Sequence, residues 1–145
     1  MGGDNSKFRN ACIDGELSVV QDMVREGYDI NTVDSDGDTG LWGAIVFNHW
    51  DIVKLLLSQD TVNINWNKSG SDYTYLHYAS HHGAPLSVIS RLLNIMSTAG
   101  INTVSSGGNT ALDIAVKRNH PDIVSCLGGR EEVTWDMGRL EEVAR

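Results

Sequence analysis

The sequence predicts an all-α solenoid of four helix-turn-helix units with projecting loops or β-hairpins. Three observations carry that prediction. Thr39-Gly40-Leu41-Trp42-Gly43-Ala44, Thr74-Tyr75-Leu76-His77-Tyr78-Ala79 and Thr110-Ala111-Leu112-Asp113-Ile114-Ala115 hold Thr, Leu and Ala at the same offsets. Their closing alanines recur after 35 and then 36 residues, a spacing typical of stacked repeats. Each segment is followed by a second apolar stretch at helical spacing, as in Asp51-Ile52-Val53-Lys54-Leu55-Leu56-Leu57. The stretch Val33-Asp34-Ser35-Asp36-Gly37-Asp38 is dense in residues that favour tight turns and tolerate positive φ, so it should project as a loop or hairpin.

Taken in order, residues 6–31 form the first unit, an N-terminal cap in which Phe8 to Leu17 fits the frame without a Thr turn. Val19, Val20, Met23 and Val24 supply the apolar side of its second helix, and Gly27-Tyr28-Asp29-Ile30-Asn31 closes it. The second unit, 32–65, ends in Val62-Asn63-Ile64-Asn65. The third, 66–102, carries an extra residue beside Pro85 and a longer exit from Asn94 to Ala99, so the stack should be irregular there. In the fourth, 103–129, Gly128-Gly129 stops the second helix, because successive glycines are costly inside one. Residues 130–145 read as a C-terminal cap: Val133, Met137, Leu140 and Ala144 recur at helical spacing, and Asp136 is placed to cap a short helix. The whole is expected to be one domain.

A chain of 145 residues with 41% apolar content can bury about 68% of its unfolded surface in one domain. No run approaches the ~18 consecutive apolar residues of a membrane span, and Met1-Gly2-Gly3-Asp4-Asn5-Ser6 lacks a signal-peptide core, which points to the cytosol or the nucleus. The net charge of −8 opposes phosphate neutralisation, so nucleic acid is not an expected partner. Cys12 and Cys126 fall in the first and last units, beyond a disulfide's reach of ~7 Å, and both should be buried reduced thiols. Met1-Gly2 with Ser6 fits an N-myristoylation pattern, making Gly2 a candidate lipidation site. One acyl chain anchors only marginally, so stable membrane association is not expected.

These residues resemble the ankyrin repeat family over positions 7–128. Gly37 to Thr39 and Gly108 to Thr110 fit its opening, Leu76-His77 its centre, and Leu56-Leu57 and Leu92-Leu93 its second helix. In that pattern Thr caps the helix and Pro follows at the first helical position. Here Gly40, Tyr75 and Ala111 replace the Pro, and Gly40→Pro is expected to stabilise by about 0.5–1 kcal/mol through unfolded-state entropy. The family's His is kept at His77 and replaced by Trp42 and Asp113, so its bonds between neighbouring turns are expected at His77 alone.

The resemblance implies a monomeric, non-catalytic module that binds another protein through a concave helix face and the loop tips. The face positions lie at i, i+3 and i+4 of each first helix. They read Asn10, Ile13 and Asp14; Gly43, Val46 and Phe47; Tyr78, His81 and His82; and Ile114, Lys117 and Arg118. The tips add Ser35, Asp36, Asp38, Tyr73 and Asn109. Trp50 is expected to be buried, and Trp66 adjoins a loop or packs beneath it. A stoichiometric inhibitor of an enzyme such as a kinase is an alternative, as is a metal- or lipid-responsive switch. No cofactor is expected. His77, His81 and His82 lack a carboxylate or thiolate at a fixed offset to complete a tetrahedral set. Asp34, Asp36 and Asp38 imitate a calcium loop, yet Thr39 and Ile45 stand where Gly and Glu belong.

Overall fold

The computed structural model describes residues 2–134, with side chains from Ser6 onward, and the chain divides after Asn63 into two compact units. The cap helix expected from Asp136, Met137, Leu140 and Ala144 lies outside the described residues, whereas Gly2, the candidate lipidation site, is the first residue of α1.

The first unit contains α1 (Gly2–Asp14), α2 (Leu17–Arg25), α3 (Gly40–Val46) and α4 (Trp50–Leu57). Within it α1 packs on α2 and α3 on α4, while α1 meets α3 and α2 meets α4. Two helix pairs thus lie one on the other, burying Phe8, Cys12, Leu41, Ile45, Ile52 and Leu56. The second unit contains α5 (Tyr75–His81), α6 (Leu86–Ile95), α7 (Thr98–Ile101), α8 (Ala111–Lys117) and α9 (Pro121–Gly128). It repeats the arrangement, α5 on α6 and α8 on α9, with α5 against α8 and α6 against α9. Its core includes Tyr75, Leu76, Ile89, Leu92, Leu112 and Ile123.

Helix starts follow the sequence. Thr39, Thr74 and Thr110 sit in extended backbone, and each hydroxyl accepts from an amide three residues on, at Trp42, His77 and Asp113. Capping satisfies donors that the first turn leaves without carbonyl partners. His77 and Asp113 return the bond to the backbone amides of Thr74 and Thr110. Asp113 therefore closes the same local capping box as His77. The loops ahead of α3 and α5 close as single-bridge hairpins, Val33 with Thr39 and Asn67 with Thr74.

Two kinds of tie recur at matching positions. The turn after each first helix passes through a left-handed residue: Gly15, Asn48, Gly83 and Asn119, at φ 77°, 62°, 67° and 57°. His49 lies so close over Gly15 that an added Cβ would be 2.6 Å from its ring, and its Nε2 bonds the Ile13 carbonyl at 2.9 Å. His120 lies likewise over Gly83 and bonds the His81 carbonyl at 3.3 Å. The closing asparagines act as clasps. Asn31 donates to the Thr61 carbonyl and accepts from the Asn63 amide, both at 2.8 Å. Asn102 does the same to Glu132 and Thr134, at 2.6 and 2.9 Å.

Several expectations are corrected. Gly40 is buried, and a Cβ there would stand 2.9 Å from the Cys12 sulfur and 3.0 Å from the Phe8 ring. A proline there would have to displace these side chains of α1, so a loss of stability is expected in place of the gain. Cys126 and Trp50 are half-buried rather than buried. The irregular exit of the third repeat is ordered as the extra turn α7, whose cap Ser97 accepts from the Gly100 amide. No described helix is long and apolar enough to cross a membrane.

Candidate functional site

In the first unit the residues expected on the binding face are Ile13 and Val46, half-buried, and Asp14 and Phe47, exposed. Phe47 keeps 55% of its surface in water although it is among the largest apolar groups of the chain. Gly43 is buried instead of accessible: its missing side chain leaves room for Ile13, whose Cγ1 would be 2.6 Å from an added Cβ. At the loop, Ser35 and Asp36 are exposed, but Asp38 is only 6% exposed and does not belong to an accessible tip. The backbone folds inward there because one Asp34 carboxylate oxygen accepts from the amides of Asp36 and Asp38, at 2.9 and 3.0 Å. That turn accounts for the three carboxylates lying within 4.8 Å of one another.

In the second unit, aromatic and basic groups adjoin. Trp66 packs beneath the loop, 8% exposed, with its ring stacked on Tyr75 at 4.7 Å and tilted against Tyr78 at 6.2 Å. Tyr73 stacks on His77 at 4.9 Å and meets Tyr78 edge-on at 5.3 Å. Such pairs hold rings in fixed geometry beyond what area burial provides. Tyr73 and Tyr78 are half-buried, so they form a rigid shelf with one side in water.

His77 itself is closed to ligands. Its Nδ1 accepts from the Thr74 amide at 3.0 Å, and its Nε2 donates to the Asn109 carbonyl at 2.9 Å. Burial holds its pKa below the ordinary histidine value, opposed in part by the Asn109 bond and Asp113. The half-buried Asn109 thus contributes its main chain to the fold. Ile114, at 4% exposure, is core rather than face.

One turn beyond Tyr78, the ends of α5 and α8 carry His81, His82, Lys117 and Arg118 around an open cleft of about 470 Å³, completed by His120. Lys117 and Arg118 are exposed, and the imidazoles of His81 and His82 lie 4.9 Å apart. Burial, then Arg118, depresses both pKa values, and His82 and His120 depress His81 further. Sequence reading missed His120. The signal available was the Asn-His pair before two second helices, at 48–49 and 119–120.

Cys12 is fully buried, and its thiol is pushed up to about 12 by that burial, the opposite of what a reactive thiolate requires. What the second unit offers is a rigid aromatic surface beside fixed positive charge.

Residues 8–98 match the family described as ankyrin repeats in three copies, and residues 107–132 match the ankyrin repeat once more. A probable E3 ubiquitin-protein ligase of Oryza sativa subsp. japonica is 34% identical over 86 residues, 57% of this chain and 16% of that protein. The eye-specific diacylglycerol kinase of Drosophila melanogaster is 28% identical over 117 residues, 81% of this chain and 8% of its own. A glycerophosphocholine phosphodiesterase of Schizosaccharomyces pombe is 32% identical over 113 residues, 75% and 9%. The chain spans only 8% to 16% of the length of these three relatives. The activities for which these proteins are named are unlike one another, and the similarity lies in the repeats.

Proposed function

From the premise that this chain belongs to the ankyrin repeat family, whose repeats are generally protein-interaction modules, we propose that it is a non-catalytic adaptor. It grips a protein partner through the accessible sides of its first helices and the loop tips. The observation that carries this reading is the shelf of Tyr73 and Tyr78, held from below by Trp66 and His77 and followed on the same helix by the basic cleft. Aromatic groups pre-set in one geometry lose little entropy on binding, and interfaces concentrate energy in such anchors. Lys117, Arg118 and the acidic tip residue Asp36 would set orientation and encounter rate rather than most of the affinity. The reading places the protein as a monomer in the cytosol or the nucleus, where free thiols such as Cys12 and Cys126 are the ordinary state.

The test is comparative capture from the source lysate, with wild type and a Phe47→Ala/Tyr78→Ala variant of matched thermal midpoint as baits. The variant should lose partners that wild type retains. Equal recovery of every partner would remove these faces from the account. Adding the chain to the recovered partner's own activity assay then separates scaffolding, which leaves that activity intact, from stoichiometric inhibition.

A further inference from the structure

The cleft at the ends of α5 and α8 is anomalous for this chain. A protein of net charge −8 has gathered His81, His82, Lys117, Arg118 and His120 around one opening, with no carboxylate among the lining residues. The carboxylate of α8, Asp113, is 2% exposed and bonded to the Thr110 amide, the ionisable residue of α6 is another cation, Arg91, and the exposed carboxylate of α9, Asp122, lies outside the lining and accepts from the Ile123 amide at 2.9 Å. Helix C-termini tolerate cations because the backbone dipoles end there in partial negative charge, which lets such a cluster exist without a countercharge of its own. His81 adds a second sign of incompleteness, since its Nδ1 is enclosed with no hydrogen-bond partner. The cleft is also continuous with the shelf: Tyr78 and His81 stand at i and i+3 of α5, and His82 at i+4 is its C-cap. A ligand crossing the shelf therefore arrives among the cations, which favours an extended chain over a small ion.

We infer that this cleft receives an acidic polypeptide segment, and that binding is coupled to proton uptake by His81 and His82. The inference rests on the protein-binding reading above and specifies the chemistry of the partner at the second unit. In the unliganded chain the two imidazoles repel a proton, because burial and Arg118 oppose it. A carboxylate placed among them supplies the missing countercharge and raises their proton affinity. Linkage then fixes the sign: affinity rises as pH falls below about 6.5, until the ligand's own carboxylates begin to titrate near 4.3.

The test uses the full chain and a fluorescein-labelled hexaglutamate peptide, followed by anisotropy at pH 7.5 and 5.5 at constant ionic strength. Each proton taken up corresponds to about a tenfold tightening per pH unit within the titration window, and with the two adjacent imidazoles sharing one proton a tightening of roughly tenfold is expected. Calorimetry in two buffers of different ionisation enthalpy should register the proton directly. His81→Gln/His82→Gln should flatten the pH dependence, and His82→Gln alone serves if the double variant loses helix signal. Lys117→Gln/Arg118→Gln should weaken binding at both pH values.

The inference is overturned if hexaglutamate is refused at pH 5.5, if affinity ignores pH, or if hexalysine or inorganic phosphate binds as tightly. Refusal of hexaglutamate, with captured partners still lost by Phe47→Ala/Tyr78→Ala, would sink the inference alone. Binding with proton uptake in a chain whose partners ignore that variant would keep the cleft and sink the shelf.

Discussion

In the 2–63 unit the first helices meet through glycine, whereas in the 64–134 unit they are joined by side-chain hydrogen bonds. On α3, Gly40 and Gly43 leave space that Phe8, Cys12 and Ile13 of α1 occupy. The matching positions on α8 are Ala111 and Ile114, both buried, and the link between α5 and α8 runs through His77 to the Asn109 carbonyl. One repeat frame thus supports two ways of holding adjacent helices. The sign of a substitution depends on which way operates locally, not on what the repeat prefers on average.

The comparison breaks most sharply at His77. His77→Ala strands the Asn109 carbonyl and the Thr74 amide in a buried setting, and should cost the second unit about 3 kcal/mol in urea denaturation. Gly40→Pro, favoured by the family pattern, should instead lower stability by about 2 kcal/mol through overpacking. That loss should shrink in a Cys12→Ala background, where the nearest sulfur is gone; an unchanged loss would point away from the α1–α3 contact. Asn31→Ala and Asn102→Ala should each cost about 1 kcal/mol, and similar midpoints would show the clasps to be equivalent across units.

Stability should also follow pH. A histidine held below its ordinary pKa binds its proton more readily when unfolded. The contribution of His77 is therefore complete above about 6.5 and declines as pH falls below it, towards the folded value. Denaturation midpoints measured from pH 7.5 to 5.5 should fall, and His77→Gln should reduce the slope. The smallest effect belongs to Phe47→Ala, which should leave stability within about 0.5 kcal/mol, because the ring is 55% exposed.

Much of this was legible from spacing. The recurring Thr, Leu and Ala mark helix starts and buried positions because local capping and helical periodicity depend on near neighbours. The crowding at Gly40 is not legible because its surroundings are Phe8 and Cys12, some thirty residues away, and no local pattern reveals who occupies the space beside a glycine. Asp38 was placed at the tip by its polarity, yet the Asp34 turn carries it inward. The basic cleft was legible in part: His81, His82, Lys117 and Arg118 follow from helical register. His120 enters from a different element, and its approach depends on Gly83 offering no side chain.

The clasps made by Asn31 and Asn102 touch only main-chain atoms, 30 and 32 positions downstream in both cases. Such a fastening is blind to the identity of the residues it secures. Mutation can rewrite the outward chemistry of those segments, and with it the choice of ligand, while the joint underneath keeps its pitch.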